Sequence, residues 1–487
     1  MQQRAVDLVI ENARLIDGTG GPSIAGGLAV AGARIVAVGE VSDCRGGRRL
    51  DAGGLALAPG FLDVHTHDDR ALLADPAMAC KVSQGVTTVV TGNCGISLAP
   101  LAAGDRTPPP PLDLLSPEPQ AFFADFGAYL ERLEAEPPAV NALCQVGHAS
   151  LRVAAMARLD RPADAGETAA MRGALERALE AGAVGLSTGL AYAPAKAAPT
   201  EEIVALAACL AEGRGIHTTH MRDEGDAIAS SLAETFAIGR AAGVPLLISH
   251  HKCSGLANHG RAPETLGLIE AARREQRLAI DAYPYPAAST ILDESYLEKS
   301  ARILVSWSLP HPEASGRDLA EIAAEWGLSE AEAVARLKPA GGIYFLMDEA
   351  DVARILAYPH CMIGSDGLPH DRHPHPRLWG TFPRVLGRYS REQGLFPLEE
   401  AVRKMSGLPA ATFGLTDRGR LAPGMAADLV LFDPARVIDR ATFETPTLPA
   451  DGIAEVWVNG RSVWREGAVT GARPGRALRL QELRFAA

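Results

Sequence analysis

Apolar and polar positions along the chain follow two different rhythms. Between residues 58 and 414, short apolar runs alternate with longer Ala-, Leu- and Glu-rich stretches. The apolar runs are Phe61 to His67, Val86 to Gly95, Val140 to His148, Val184 to Leu190, Ile216 to Arg222, Pro245 to Cys253, Arg277 to Tyr285 and His360 to Asp366. Several are apolar almost throughout, as strands covered on both faces must be. The stretches between them, such as Glu167 to Ala181, Glu201 to Gly213 and Ala227 to Ala242, have helical composition. Eight such βα units predict an α/β fold of the TIM (β/α)8 barrel type.

The flanks alternate with the period of strands. Residues 1–57 carry β-like runs at Asp7 to Ile10, Gly27 to Val30 and Arg34 to Val38, separated by Gly-rich turns. Residues 415–487 resume the pattern, and Asn459-Gly460 between two alternating runs is a type I′ hairpin signal. The two flanks are expected to combine into one small β-sandwich. Two insertions interrupt the barrel rhythm. Gly104 to Pro119 is Pro-rich and reads as a surface loop. Residues 287–345, between the seventh and eighth runs, are too long for a βα connection and are expected to form a lid subdomain.

Composition narrows the class further. A hydrophobic share of 47% supports a large core, and a net charge of -12 argues against nucleic acid or an anionic membrane as partner. A small anionic substrate would need cations placed locally. No apolar run approaches the ~18 residues of a membrane span. The N-terminus lacks a signal-peptide pattern, and the seven scattered cysteines do not form a disulfide framework. A cytoplasmic location is expected, and the oligomeric state is left open.

The candidate chemistry sits at the ends of the predicted strands. His65 and His67 close the first, His220 the fifth, His250 the sixth and Asp366 the eighth. In a barrel all strand C-termini meet on one face, where active sites lie. Four imidazoles and a carboxylate gathered there describe a metal site. His148, at the end of the third run, either lines the site or is structural. His370, His373 and His375 lie in a Pro-rich stretch and read as parts of a rigid loop.

This constellation resembles the amidohydrolase superfamily, as do the lead-in Ala58-Pro59-Gly60-Phe61-Leu62-Asp63 and the late Pro423-Gly424-Met425-Ala426-Ala427-Asp428-Leu429. Many members of its hydantoinase-like branch bridge two metals with a lysine on strand four, but Val184 to Leu190 contains none. Strand two instead ends in Gly92-Asn93-Cys94-Gly95, where a thiolate could take that place. With Ser249-His250-His251-Lys252 and Gly364-Ser365-Asp366-Gly367, this resembles the N-acyl-D-amino-acid deacylase family. The resemblance implies one tight Zn2+ on Cys94, His220 and His250, with His65 and His67 serving a second, weaker position. It implies Asp366 as general base and His251 or Tyr192 as helpers at the oxyanion. It places Lys252, Tyr283, Ser289 and Arg377 around the substrate carboxylate. The expected substrates are N-acyl-D-amino acids, with neutral or apolar side chains because Ile291 to Tyr296 offers two acids and no base. Three alternatives stay open: a deacylase for N-acyl-D-glutamate or N-acyl-D-aspartate, a cyclic-amide hydrolase of the hydantoinase or dihydroorotase kind, and a catalytically inert assembly protein.

Overall fold

The computed structural model describes residues 4–102, 104 and 107–485. All eight expected barrel strands are present, each shorter than its apolar run. They are β1 (Phe61–Asp63), β2 (Val86–Thr91), β3 (Asn141–Cys144, resuming at Val146–Gly147), β4 (Gly185–Gly189), β5 (Ile216–His220), β6 (Leu246–Ile248), β7 (Leu278–Ala282) and β8 (Cys361–Ile363). Neighbours pair in parallel from β1 round to β8. The ring closes just beyond the last strand, where Thr66 bridges Gly367 and the Asp366 amide donates to the His65 carbonyl at 2.8 Å.

The barrel is filled from below. Leu62, Val90, Leu143, Val184, Ile216, Leu247 and Met362 form one apolar layer inside it, capped by Phe413 and Leu415. Two residues on, the period-2 alternation carries polar side chains inward on several strands. From Ile216 the same face leads to His220, from Val90 to Cys94, and from Met362 to Asp366.

Strands from both ends of the chain form the β-sandwich. Its sheet runs from Ala468–Val469 through Arg461–Arg465, Ile453–Val458 and Leu429–Phe432 to Ala56–Pro59, Leu8–Leu15, Ile24–Ala31 and Arg34–Gly39. Leu429 and Leu431 face a core shared with Leu8, Ile10 and Trp457, while Val430 and Phe432 face the barrel. Asn459 and Gly460 both have positive φ, 47° and 77°, as a type I′ hairpin requires.

The insertion between β7 and β8 is a lid. Ala287–Ile291, Ala340–Phe345 and Arg302–Ser308 make a three-stranded antiparallel sheet, backed by helices Leu319–Trp326 and Glu330–Leu337. The Pro-rich insertion after β2 differs from expectation. Residues 105 and 106 of it lie outside the described residues, but Pro111, Leu112, Leu114 and Leu115 are buried rather than exposed. Its apolar residues pack inward because Leu112 and Leu115 join the core with Phe126 and Leu130. Among the described residues no helix is long and apolar enough to cross a membrane, and all seven cysteines are free.

Candidate metal centre and the pocket above it

The strand ends deliver six side chains to one point. Cys94 Sγ lies 3.2 Å from His65 Nε2 and 3.3 Å from His250 Nε2. His67 Nε2 is 3.2 Å from Asp366 Oδ1. Two donor sets result, each with ligand atoms within 4.8 Å of one another: His65, His67, Cys94 and Asp366, and Cys94, His220 and His250. Cys94 belongs to both. All six residues are buried.

The backbone bends to achieve this. Cys94, His250 and Asp366 adopt positive φ of 53°, 34° and 51°. Non-glycine residues rarely do so, and the cost of order 1–3 kcal/mol each persists only where surroundings enforce it. At Gly92, φ is 75° and an added Cβ would lie 2.2 Å from the Gln145 carbonyl, so only glycine lets this turn lie against β3. The left-handed turn at His250 also breaks the alternation of β6. It sends His250 inward and its neighbour His251 outward, to bond Thr265 Oγ1 at 3.0 Å.

Charged groups behind the donors hold them in place. Glu224 Oε1 is 3.0 Å from His250 Nδ1 and 2.7 Å from Lys252 Nζ, and Glu224 Oε2 is 3.8 Å from His220 Nε2. Asp281 Oδ1 accepts from the His250 amide at 2.9 Å and lies 3.5 Å from His65 Nδ1. Arg377 Nη1 pairs with Asp366 Oδ2 at 2.9 Å, and Arg377 Nη2 donates to the Ser289 carbonyl of the lid at 3.1 Å. Lys81, fully buried, joins Asp63 at 2.8 Å and Asp68 at 3.1 Å.

Burial penalises charge on Cys94, His67, His250 and Asp366, and their pairings outweigh it. Burial pushes the Cys94 thiol up, but the imidazoles of His65 and His250 hold it well below the usual thiol range. Burial lowers His67 and His250, yet partners raise both to about 9: Asp366 and Cys94 for His67, Glu224 and Cys94 for His250. Burial raises Asp366, and Arg377 with His67 more than reverses this, leaving it well below the usual carboxylate range. A low-lying thiol among imidazoles is the N/S donor chemistry of zinc. The buried Nδ1 atoms of His67 and His220 have no hydrogen-bond partner, which is costly unless something else engages those rings.

Comparison with known proteins gives this geometry its family. The family model described as "Amidohydrolase family" matches residues 48–268 and 311–464. A D-aminoacylase of Alcaligenes xylosoxydans xylosoxydans is 56% identical over 472 residues, covering 97% of each chain. The chain belongs to the amidohydrolase family, in its D-aminoacylase branch. Among solved structures, one of D-aminoacylase, concerned with a binuclear centre of one-metal activation and second-metal attenuation, superposes with a TM-score of 0.94 at 55% identity, covering 97% of this chain and all of the other. An N-acyl-D-glutamate deacylase from Bordetella bronchiseptica, complexed with zinc and a phosphonate mimic of the tetrahedral intermediate, superposes with a TM-score of 0.95 at 48% identity, covering 98% of this chain and all of the other.

In this amidohydrolase five of the six donors, all but His65, form the floor of a pocket under the lid. Its free space is about 40 Å3, room for roughly three waters. Tyr192, Lys252, Tyr283 and Ser289 line it. Tyr192 packs on His220 with ring centroids 4.9 Å apart, and its hydroxyl meets Thr290 Oγ1 at 3.2 Å. The Tyr283 and Ser289 hydroxyls are buried and unpartnered. One expectation changes. His251 does not reach this pocket, for the reason given above, and so cannot act on an oxyanion there. Arg377 sits beside the lining residues Tyr283 and Asp366, its guanidinium 4.6 Å over the Tyr283 ring and Nη1 2.9 Å from Asp366 Oδ2. His148 is structural, 2.9 Å from Glu202 Oε1. His373 and His375 pin the loop after β8 to the carbonyls of Phe443 and Ala287.

Sequence reasoning missed Glu224, Asp281 and Lys81. Nothing in a local pattern marks them, because each acts through partners brought near by the fold. The nearest signal was Glu224, four residues past His220 in the stretch that leaves β5.

Proposed function

We propose that this chain is a zinc-dependent deacylase that converts linear N-acyl-D-amino acids with neutral or apolar side chains into a carboxylate and a free D-amino acid. The observation that carries the reading is Cys94, a single sulfur shared by two donor sets, with the Asp366 carboxylate in reach. It would take the bridging role that a strand-four lysine plays in cyclic-amide hydrolases, and β4 here has no lysine. The names of the relatives supply the substrate class and its D-configuration.

Cys94, His220 and His250 would hold the tight zinc, and His65, His67 and Asp366 a weaker second position around the same sulfur. Zinc bound there supplies a Lewis acid for the scissile carbonyl and lowers the pKa of water to about 7. Asp366 receives the proton of the attacking water on its carboxylate, which Arg377 and His67 keep ionised and oriented. The same carboxylate then passes that proton to the departing nitrogen, so the amine leaves neutral. The Lys252 ammonium and the free hydroxyls of Tyr283 and Ser289 offer donors to the α-carboxylate. Tyr192, pressed against His220, closes the wall beside the reacting carbonyl and helps exclude water.

The side-chain preference rests on the lid. Tyr296, Tyr344 and Leu346 line the pocket there, and Lys252 is the one Lys or Arg among its lining residues, already tied to Glu224. Arg302 turns away to Asp318. The test is hydrolysis of paired N-acetyl-D- and N-acetyl-L-amino acids, with Met, Leu and Glu side chains, by zinc-loaded protein. Release of D-Met and D-Leu, with L-enantiomers untouched, is expected. N-acetyl-D-Glu as best substrate would overturn the side-chain assignment. Turnover of hydantoins without turnover of any N-acyl-D-amino acid would overturn the deacylase.

A further inference from the structure

We propose that the segment following β2 builds an acyl-group subsite, with Ile96, Pro111 and Leu114 and, from beyond β8, Leu368 forming an apolar wall that takes a short aliphatic acyl chain. This rests on the deacylase reading and adds to it the end of the substrate that the reading leaves unassigned.

The argument is one of placement around the ring. β2 and β8 flank β1, so the side chains that follow them share one side of the barrel mouth. Ile96 lies two residues past Cys94, and Leu368 two residues past Asp366. Pro111 and Leu114, both buried, complete that side, and all four residues line the pocket. None of the four side chains can make a strong hydrogen bond. The groups able to bind a carboxylate follow other strands of the ring: Lys252 follows β6, Tyr283 follows β7, and Ser289 is in the first lid strand. The donor cluster lies between.

Amide geometry then fixes the direction of the acyl chain. A secondary amide is trans, and the cis form costs about 2.5–4 kcal/mol. With the scissile carbonyl at the cluster and the α-carbon toward β6 and β7, the acyl carbon must point away from them, across the ring toward the segment that follows β2. The wall it meets is held at fixed depth by a tight turn: the Leu114 amide donates to the Pro111 carbonyl at 3.0 Å and the Leu115 amide to the Leu112 carbonyl at 3.0 Å. Leu112 and Leu115 anchor that turn in the core.

The experiment is kcat/KM for N-acetyl-, N-butanoyl- and N-hexanoyl-D-leucine with the wild type, Leu114→Ala and Leu114→Phe. The butanoyl-to-acetyl ratio should rise roughly tenfold in Leu114→Ala and fall by a similar factor in Leu114→Phe, as methylene-sized changes in an apolar subsite do. The ranking of D-Leu, D-Met and D-Phe at fixed acetyl group should not move. Each readout is a ratio within one preparation, so a loss of folded protein does not alter it. Leu368→Ala, from another element, must shift the ratio in the direction of Leu114→Ala. Unchanged acyl ratios, or a changed side-chain ranking with a constant acyl ratio, overturn the subsite while the deacylase stands. A wild type that frees no D-amino acid from any of these compounds overturns both.

Discussion

Replacing Lys81 by methionine should damage both the fold and the centre, although Lys81 touches no candidate ligand side chain. Its ammonium, fully buried, is shared by Asp63 at 2.8 Å, Asp68 at 3.1 Å and the Ser365 hydroxyl at 3.0 Å. Burial weakens its hold on the proton, and the two carboxylates more than reverse that and keep it charged. Asp63 in turn accepts from the Ser365 amide at 2.8 Å and from the His65 amide at 3.4 Å. One cation thus joins the turn after β1 to the turn after β8. Lys81→Met leaves two carboxylates buried without their counter-charge, and breaking such a pair costs about 3–5 kcal/mol. Unfolding entropy of about 2.1 cal/mol/K per residue makes roughly 1 kcal/mol/K for 487 residues. The expected fall in Tm is therefore about 3–5 °C, read by scanning fluorimetry with zinc in excess. Lys81→Met/Asp68→Asn removes one of the stranded charges and should recover part of the loss. Zinc held by the His65, His67 and Asp366 set should weaken in parallel. A Lys81→Met protein melting within about 1 °C of wild type, with unchanged metal affinity, would refute the reasoning.

Glu224→Gln removes the anion that faces both His220 and His250, and zinc affinity should fall about 10- to 100-fold by chelator competition. Asp366→Asn should lower kcat by about 10²–10⁴ while the tight zinc, on Cys94, His220 and His250, is retained by elemental analysis. Zinc must displace protons from His67 and His250, which hold them up to about pH 9. Since both values are raised above 6.5, the competing protons are fully present at low pH and are lost as pH rises through about 9. Apparent zinc affinity should therefore climb from pH 6.5 to 8.5, with proton release on binding, and a flat profile would contradict the titration assigned to these rings.

The barrel was legible because buried parallel strands write themselves as apolar runs, and because barrel topology sends every strand end to one face. Cys94, His220 and Asp366 were legible for the same reason, since each continues the inward parity of its own strand. His250 and His251 show where that reasoning stops. Parity from Leu247 favours His251, and a single left-handed residue reverses the choice. The insertion after β2 was misjudged because proline content resembles an exposed loop, whereas its leucines decide its burial. Glu224 and Lys81 were illegible because their roles depend on partners the fold brings near, His250 and Lys252 for Glu224 and Asp63 and Ser365 for Lys81.

Cys94 has one consequence for how this protein takes up metal. Two positions that borrowed the same sulfur could not fill independently. Electron density lent to the first ion would be withdrawn from the second, and the resulting penalty would be reciprocal: each occupant would weaken the other by an equal free energy. Uptake would then proceed in two unequal steps, and the gap between them would measure how far one thiolate can be made to serve twice.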